Sequence, residues 1–365
     1  MPILVFSICV ALVIEIRDDH LCISKKKYDK FYTFILILVL SLFCGLRTWY
    51  NDTVTYKQMY EQAPLVQNFW TSDDASLAGG YGFGLLNSIM KTLGLSTQDF
   101  LMSYAFMTII PYILFIRKFC PHFTFGIFLM FATGFYTFTF AAIKQCMATG
   151  LCLWAVMAAV DRKWGRYILF IFLACLFHPY SIVYLVVPFL IFRPWSSRTY
   201  ICIIAFIIIG FTLESLLGTI LDVTDMIGAN YNEESFVGEG VNLFRVLVAF
   251  VPLVLSVPYK NFLFYNVGRT EYLMFNMSMI HALLMFVGIF GTANYFARLA
   301  NYFLPAVVVV LPWMLNKLYD RHQAFLKASC IIGYCGYFYY DNVIARHFDT
   351  MFMKIGLWDY ITSHF

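Results

Sequence analysis

The sequence predicts an all-α, polytopic integral membrane protein of about 11–12 transmembrane helices, with a broken helix near residue 178 and outward-facing interfacial helices. Of its 365 residues, 61% are hydrophobic and 13% are charged, whereas soluble domains are about 45–50% apolar and about 25% charged. The apolar residues form runs of roughly 14 to 20 residues, as bilayer thickness requires. The 39 Phe and 25 Tyr residues often lie at segment ends, where rings suit the membrane interface.

The candidate spanning segments, in chain order, are 2–16, 31–46, 99–116, 122–138, 143–160, 166–177, 179–192, 200–217, 242–258, 271–290, 299–315 and 327–340. The first lacks a basic start and a small-residue cleavage site, so we expect a retained helix rather than a signal peptide. Because proline removes a backbone donor, His178-Pro179 makes 166–192 either one broken helix or two short ones.

The positions of Lys and Arg predict the topology, because cytoplasmic loops are enriched in both. All the basic clusters fall on the cytoplasmic side if segment 81–94 does not cross the membrane. We therefore interpret this segment as an interfacial or re-entrant helix on the outer face. The clusters are Arg17 with Lys25, Lys26, Lys27 and Lys30; Arg117-Lys118; Arg162, Lys163 and Arg166; Arg193 and Arg198; Lys260 and Arg269; and Lys317, Arg321 and Lys327. Loops 47–98, 218–241 and 291–298 and the tail 341–365 then face outward.

We therefore expect residues 1–365 to form a single membrane domain, without an internal repeat or a soluble module. The net charge of +4 arises from short topogenic loops and does not indicate a nucleic-acid partner. The ten Cys residues show no ligand spacing, so we interpret them as apolar packing residues without a metal site.

A first polar cluster follows the second span, in the run Gly45 to Tyr60. Arg47 offers a fork of donors suited to phosphate, and Asp52 could accept a proton from a sugar hydroxyl. The alternative interpretation is that Arg47 and Asp52 form an exposed ion pair at a helix end.

Two further clusters lie at the ends of spans. Lys144-Gln145 begins an apolar helix from the outer side, where an anion would gain from the lysine and from the helix dipole together; the alternative is a snorkelling lysine. His178 lies at the proline break, where backbone is exposed; the alternative is a packing histidine. His281 has no such break, and for it the packing interpretation leads.

The last cluster is Ala293 to Phe303. Arg298, Asn301 and Tyr302 fall one turn apart, so they can share a helical face that grips a phosphate and stacks a sugar ring. The alternative is an interfacial arginine among belt aromatics.

The joint order of these clusters resembles the EpsG family of exopolysaccharide polymerases, which is similar in role to the Wzy O-antigen polymerases. The resemblance covers about residues 30–320. Its motifs are Arg47 through Tyr60, Gly80-Tyr81-Gly82-Phe83, Lys144-Gln145-Cys146-Met147-Ala148, Ala174 through His178, and Arg298 through Phe303. The chain departs from the family pattern at Asn51, where the family has Gly, and at Lys144, where it has Arg, so the bidentate fork is lost there.

The resemblance implies a metal-independent glycosyltransferase without a cofactor, in the bacterial inner (cytoplasmic) membrane. It would transfer a growing exopolysaccharide, capsule or O-antigen glycan from polyprenyl diphosphate, such as undecaprenyl diphosphate, to a lipid-linked repeat. Its implied partners are polyprenyl-diphosphate-linked oligosaccharide, membrane lipid, a flippase and a chain-length regulator. The implied roles are Asp52 and His178 as catalytic base; Arg47, Lys144 and Arg298 on the diphosphate; and Tyr56, Tyr60, Tyr81, Gln145, Asn301 and Tyr302 on sugar.

Competing functions stay open at this point. A transporter or flippase of lipid-linked or anionic saccharides would use the same basic cavity without chemistry, and predicts polar groups through the full membrane depth. A multispan acyltransferase would require a histidine site reached from the cytoplasm. A structural scaffold has little reason to retain embedded ions, because each costs roughly 2.5–3.5 kcal/mol to insert.

Overall fold

The computed structural model describes residues 2–20, 25–71, 80–226, 240–290, 293–318 and 322–362. Its elements are α1 (Pro2–His20), α2 (Lys25–Gly45), β1 (Arg47–Trp49), α3 (Thr53–Gln62), a 3₁₀ turn (Val66–Asn68), α4 (Tyr81–Thr92), α5 (Thr97–Phe119), α6 (Phe123–Ala132), α7 (Phe135–Ala141), α8 (Ile143–Val160), α9 (Trp164–Phe177), a 3₁₀ helix (Pro179–Leu190), α10 (Ser197–Met226), α11 (Leu243–Leu263), α12 (Arg269–Val287), α13 (Ala293–Asn301), α14 (Leu304–Lys317), α15 (His322–Phe338), a π-helical turn (Tyr339–Ala345), α16 (Phe348–Met351), β2 (Met353–Lys354) and α17 (Leu357–Thr362).

The all-α, polytopic class is confirmed. Within the described ranges, α5, α8, α11 and α12 are the four helices long and apolar enough to cross a bilayer, or six spans if the bent pairs α6–α7 and α13–α14 each count as one. The shorter apolar helices are Pro2–Glu15, Lys30–Gly45, α9, the 3₁₀ helix and Ser197–Leu213. Residues 72–79 and 227–239 of the two long predicted loops lie outside the described residues.

Two predicted spans are broken where the sequence predicted continuous helices. Segment 122–138 bends by 47° between α6 and α7, where Gly134 adopts a left-handed φ of 74° that glycine tolerates at low cost. Segment 299–315 bends by 52° between Asn301 and Leu304, and Pro305 begins the second helix. The stretch 166–192 is two elements, because His178 is extended at the end of α9 and Pro179 starts the 3₁₀ helix.

The chain forms two compact units: unit 1 comprises Met1–His178 with Ile331–Phe365, and unit 2 comprises Pro179–Cys330. In unit 1 the helix ends form two groups. At one end, Lys118 Nζ lies 2.7 Å from Asp161 Oδ1, and Glu15 accepts from His122 and from the Thr124 amide. These residues belong to segment ends that the charge pattern assigns to the cytoplasm.

The opposite end of unit 1 collects segment ends that the charge pattern assigns to the outside; we call it the Arg47 end. Gln98, which starts α5, donates to the carbonyls of Gly45 and Arg47 at the end of α2. Strand β1 pairs antiparallel with β2 of the tail. The loop after α2 and the C-terminal tail therefore lie on one side of this unit, as predicted.

Unit 2 is built around α12, most of which is buried. Asn276 donates to the carbonyls of Leu190 and Phe192, which satisfies acceptors left where the 3₁₀ helix ends. His281 Nδ1 lies 2.8 Å from the Ala300 carbonyl oxygen, which agrees with the packing interpretation of this histidine.

Candidate functional site

The loop that follows α2 begins with a buried arginine. Arg47 is 1% exposed. Its Nη1 donates to the Cys44 carbonyl at 2.7 Å, and its Nε donates to Thr53 Oγ1 at 3.3 Å. Its guanidinium carbon lies 6.0 Å from the centroid of the Phe140 ring. Because no carboxylate pairs with Arg47 among the described residues, its charge is balanced by dipoles and by a ring face.

The cavity beside Arg47 is narrow. It has no room for a water molecule, and Thr108, Thr139 and Ile143 line it with Arg47. In this conformation a ligand outside the cavity would interact with the charge of Arg47 only through space. Direct contact with the guanidinium requires the surrounding loop to move.

Asp52 does not pair with Arg47, so the exposed ion pair of the alternative interpretation is absent from the described residues. Asn51 has a φ of 44°, the left-handed region in which Gly or Asn is favoured. Asp52 then precedes α3 as its N-cap without a side-chain capping hydrogen bond. Its carboxylate is partly exposed, which leaves it accessible to a substrate hydroxyl.

A second cation, Lys57, lies near Arg47 and was not assigned a role from the sequence. Lys57 lies one turn after Thr53 on α3 and is partly buried. Burial lowers the pKa of Lys57, the charge of Arg47 lowers it further, and Glu61 acts in the opposite direction. The only sequence signal for Lys57 was its place inside the Arg47–Tyr60 motif.

Lys144 belongs to the same end of unit 1. Its Nζ lies 5.7 Å from the centroid of the Phe83 ring on α4, and its side chain is partly exposed. Gln145 is buried behind it, at 2% exposed. Arg47 and Lys144 are the two predicted anion ligands of this unit. Unlike the buried Arg47, Lys144 is accessible, and it lies in the first turn of a long helix.

α4 is fixed against the end of α9 by a glycine contact. A Cβ on Gly82 would lie 2.8 Å from Leu176 Cβ and 3.0 Å from the Leu176 carbonyl oxygen, so only glycine permits this approach. Gly80 has a φ of 93°, and a Cβ on it would also lie 3.0 Å from the Leu176 carbonyl oxygen. This packing brings Tyr81, which is exposed, and His178, which is partly exposed, to the Arg47 end.

The predicted sugar-binding tyrosines of α3 belong to the core. Tyr56 and Tyr60 are 8% and 3% exposed and pack in a cluster with Phe83, Phe100 and Tyr104. Tyr60 also donates to the Leu95 carbonyl at 2.6 Å. These rings hold α3 against α4 and α5, and Tyr81 is the predicted sugar contact that is exposed.

The third predicted cluster lies in unit 2, and the structure differs from the shared helical face that the spacing predicted. Helix α13 ends at Asn301. Beyond it Tyr302 is 0% exposed, its hydroxyl lies 3.0 Å from Ser181 Oγ, and its carbonyl accepts from Tyr184. Arg298 is exposed and Asn301 is partly exposed, so these two face outward from unit 2 while Tyr302 packs inside it.

These observations define a polytopic membrane protein with cations gathered at one end of a helical unit that also carries the partly exposed Asp52. The chain belongs to the EpsG family, whose model matches residues 30–361. The family is one of exopolysaccharide and O-antigen polymerases, so this chain has a polymerase-like role in polysaccharide synthesis. No curated protein and no solved structure matches it.

Proposed function

We propose that the protein polymerises a polysaccharide from lipid-linked repeats at the outer face of the membrane. The growing glycan is transferred from its polyprenyl diphosphate to the non-reducing-end hydroxyl of the next lipid-linked repeat. The bond between the anomeric carbon and the diphosphate oxygen breaks, a glycosidic bond forms, and the acceptor proton passes to a base. The observation that carries the proposal is the family membership, together with the cations at the Arg47 end.

The first task of the site is to stabilise the charge that develops on the leaving diphosphate. Preformed positive groups do this best in a site that excludes water. Lys144 and Lys57 are partly exposed and serve as the direct ligands, while Arg47 adds its charge from behind. Arg298 is exposed on unit 2, and its role on the diphosphate stays a prediction from the sequence.

The second task is to deprotonate the acceptor hydroxyl, which a positioned base typically accelerates by about 10²–10⁴-fold. Asp52 takes this role in our proposal, because its carboxylate is partly exposed and is not committed to a helix cap. His178, at the end of α9, is the second choice. Tyr81 and Gln145 are the proposed sugar contacts of unit 1, Gln145 only if the buried start of α8 opens. Asn301 lies in unit 2, and its role on sugar stays a prediction from the sequence.

The test is the ladder of lipid-linked glycans in a deletion strain that carries single variants. We expect Lys144→Met and Arg298→Ala to accumulate single repeats on the outer leaflet, and Lys144→Arg to retain long polymer because the charge is kept. Lys30→Met is the matched control, because Lys30 is an exposed lysine on a segment end assigned to the cytoplasm.

Two outcomes contradict the proposal. Normal chain lengths in both Lys144→Met and Arg298→Ala would show that neither residue is needed to bind the diphosphate. Repeats trapped on the inner leaflet of the deletion strain would instead identify a flippase. Asp52→Asn separates the base from binding, because it should lower the rate of chain extension while lipid-linked substrate still binds.

A further inference from the structure

The turn between α8 and α9 carries a group of cations that takes no part in the candidate site. Arg162, Lys163 and Arg166 are exposed there, and Lys118 at the end of α5 pairs with Asp161 of the same turn at 2.7 Å. This turn lies at the end of unit 1 that the charge pattern assigns to the cytoplasm. We call these four cations, together with Asp161, the α8–α9 patch.

The positive charge of the patch is only partly balanced within unit 1. Asp161 accepts a hydrogen bond from Lys118 and lies 4.0 Å from Lys163 Nζ, so two ammonium groups already share its charge. Among the described residues, Arg162 and Arg166 have no ion pair. The patch therefore presents a positive charge that complements an anion from outside the chain.

A row of exposed apolar side chains begins at the patch and follows α9. Trp164, Ile168 and Phe172 are 46%, 54% and 59% exposed, and their spacing of four residues places them along one side of the helix. The row is about 12 Å long at 1.5 Å per residue, which is close to the hydrocarbon depth of one leaflet, about 15 Å. Tyr167 and Ala174, on a different face of α9, are buried, so the row faces away from the interior of unit 1.

Trp164 marks the boundary between the cations and the apolar row. It lies between Lys163 and Arg166 in sequence, and tryptophan is enriched where headgroups meet hydrocarbon. The cations then lie at headgroup level, and the row extends into the hydrocarbon. A partner for this surface must join an anionic group to a hydrocarbon chain, which an anionic phospholipid does and an acidic protein segment does not.

We propose that the α8–α9 patch binds the headgroup of an anionic phospholipid, with an acyl chain lying along Trp164, Ile168 and Phe172. Clusters of Lys and Arg next to a membrane helix attract anionic headgroups, and the row offers apolar contact to the chain. A zwitterionic phospholipid has the same chains without the net charge, so it gains only the apolar contact. The inference does not depend on the reaction that the protein performs.

Arg162 can be replaced without disturbing the turn. It has a φ of 58°, its amide donates to the Ala159 carbonyl, and the next amide donates to the Ala158 carbonyl. This is the helix ending that usually has glycine at the left-handed position, because glycine avoids the penalty that a Cβ brings there. Arg162→Gly should therefore keep or raise the Tm in lipid-free detergent while it removes one charge from the patch.

Native mass spectrometry of the full-length protein measures the affinity for phosphatidylglycerol and for phosphatidylcholine with the same acyl chains. We expect wild-type protein to prefer phosphatidylglycerol. Arg162→Gly combined with Arg166→Gln should bind phosphatidylglycerol about 25-fold more weakly, since each cation near the membrane surface contributes about fivefold. The matched control is Lys260→Gln combined with Arg269→Gln, which also removes two exposed cations, here from the turn between α11 and α12, and should keep the wild-type affinity.

Two results of this experiment would overturn the inference. Equal affinity of the wild-type protein for the two lipids would mean that headgroup charge is not recognised. An equal loss of affinity in the control would mean that the total charge of the protein, rather than the α8–α9 patch, attracts the lipid. The Tm of each variant in lipid-free detergent shows whether a weaker affinity comes from unfolding.

A photoactivatable phosphatidylglycerol locates the acyl chain in wild-type protein, so this result does not depend on the folding of any variant. We expect a diazirine on the chain to label Ile168, Leu169 or Phe172, and unlabelled phosphatidylglycerol, but not phosphatidylcholine, to compete the label away. Ile204 and Ile208 of α10 are also exposed and report the bulk lipid. Labelling of α9 that is no stronger than labelling of α10, or that phosphatidylglycerol does not reduce, would contradict the inference.

Discussion

Gly82→Ala tests the contact that holds α4 against the end of α9. The added Cβ would lie 2.8 Å from Leu176 Cβ and 3.0 Å from the Leu176 carbonyl carbon and oxygen. Two of these atoms belong to backbone, so a side-chain rotation cannot relieve the overlap. Gly165, also in a helix, has no atom within 4 Å of the corresponding position and provides a matched control.

The two substitutions should change stability in opposite directions. Overpacking of this kind typically costs about 1–3 kcal/mol, whereas Gly→Ala at an open helical position gains roughly 0.5–1 kcal/mol. A change of 1 kcal/mol shifts Tm by about 2–4 °C in proteins of 150–250 residues. Thermal unfolding of the purified protein in detergent should therefore show a lower Tm for Gly82→Ala and an equal or higher Tm for Gly165→Ala.

The same variants connect packing to activity. α4 carries Phe83, whose ring lies under Lys144, so displacing α4 should shorten the polymer in Gly82→Ala but not in Gly165→Ala. A Gly82→Ala protein with wild-type Tm and wild-type chain lengths would refute the close approach. A similar loss of Tm and of chain length in both variants would mean that replacing any helical glycine has this effect, and that the contact with Leu176 is not its cause.

Three other substitutions probe the tail and the cations. Tyr360→Phe removes the hydroxyl that donates to Asp99; we expect a loss of about 1–2 kcal/mol, measured as a lower Tm and faster proteolysis of the tail. Arg346→Met removes the partner, 3.0 Å away, of the fully buried Asp341 carboxylate; we expect about 3–5 kcal/mol of destabilisation, partly restored when Asp341→Asn is added. Lys57→Arg should extend polymerisation in membrane vesicles to higher pH. Burial and the neighbouring Arg47 guanidinium lower the pKa of Lys57, so as pH rises Lys57 loses its charge earlier than an ordinary lysine does. Arginine stays charged over this range. An unchanged alkaline limb would exclude Lys57 as a ligand.

The sequence predicted the helices well because hydropathy and charge are local signals. The span predicted at 99–116 is α5, Thr97–Phe119, and the proline at 179 correctly predicted an interruption. The bends at Gly134 and after Asn301 were not predicted, because a lone glycine in an apolar run and an Asn-Tyr-Phe sequence do not specify a break. Both bends depend on the tertiary packing within each unit.

The grouping of three of the sequence motifs at one end of unit 1 was predictable for the same reason, while their roles stay predictions. The motifs around Arg47, Lys144 and His178 each lie at an end of a predicted span, so topology alone brings them to one end of unit 1. Burial of the rings at Tyr56 and Tyr60 depends on α4 and α5 packing over them, which periodicity does not encode. The return of the tail to pair with β1 joins residues about 300 positions apart in sequence, and three residues of strand carry no signal for it.

The burial of Arg47 gives the strongest physical reason to expect an anion at this end. Taking a charge out of water costs several kcal/mol unless a partner offsets it, and among the described residues Arg47 has carbonyl, hydroxyl, thiol and ring contacts but no carboxylate. Burial lowers the pKa of Lys57 and the charge of Arg47 lowers it further, so a second cation is also held at a cost. A fold that only needed to close this end would be more stable with apolar side chains at both positions. A diphosphate at the accessible ammonium groups would turn this repulsion into binding free energy. Replacing both cations with methionine should therefore raise Tm in the absence of substrate while it abolishes long polymer, and a lower Tm would contradict this account.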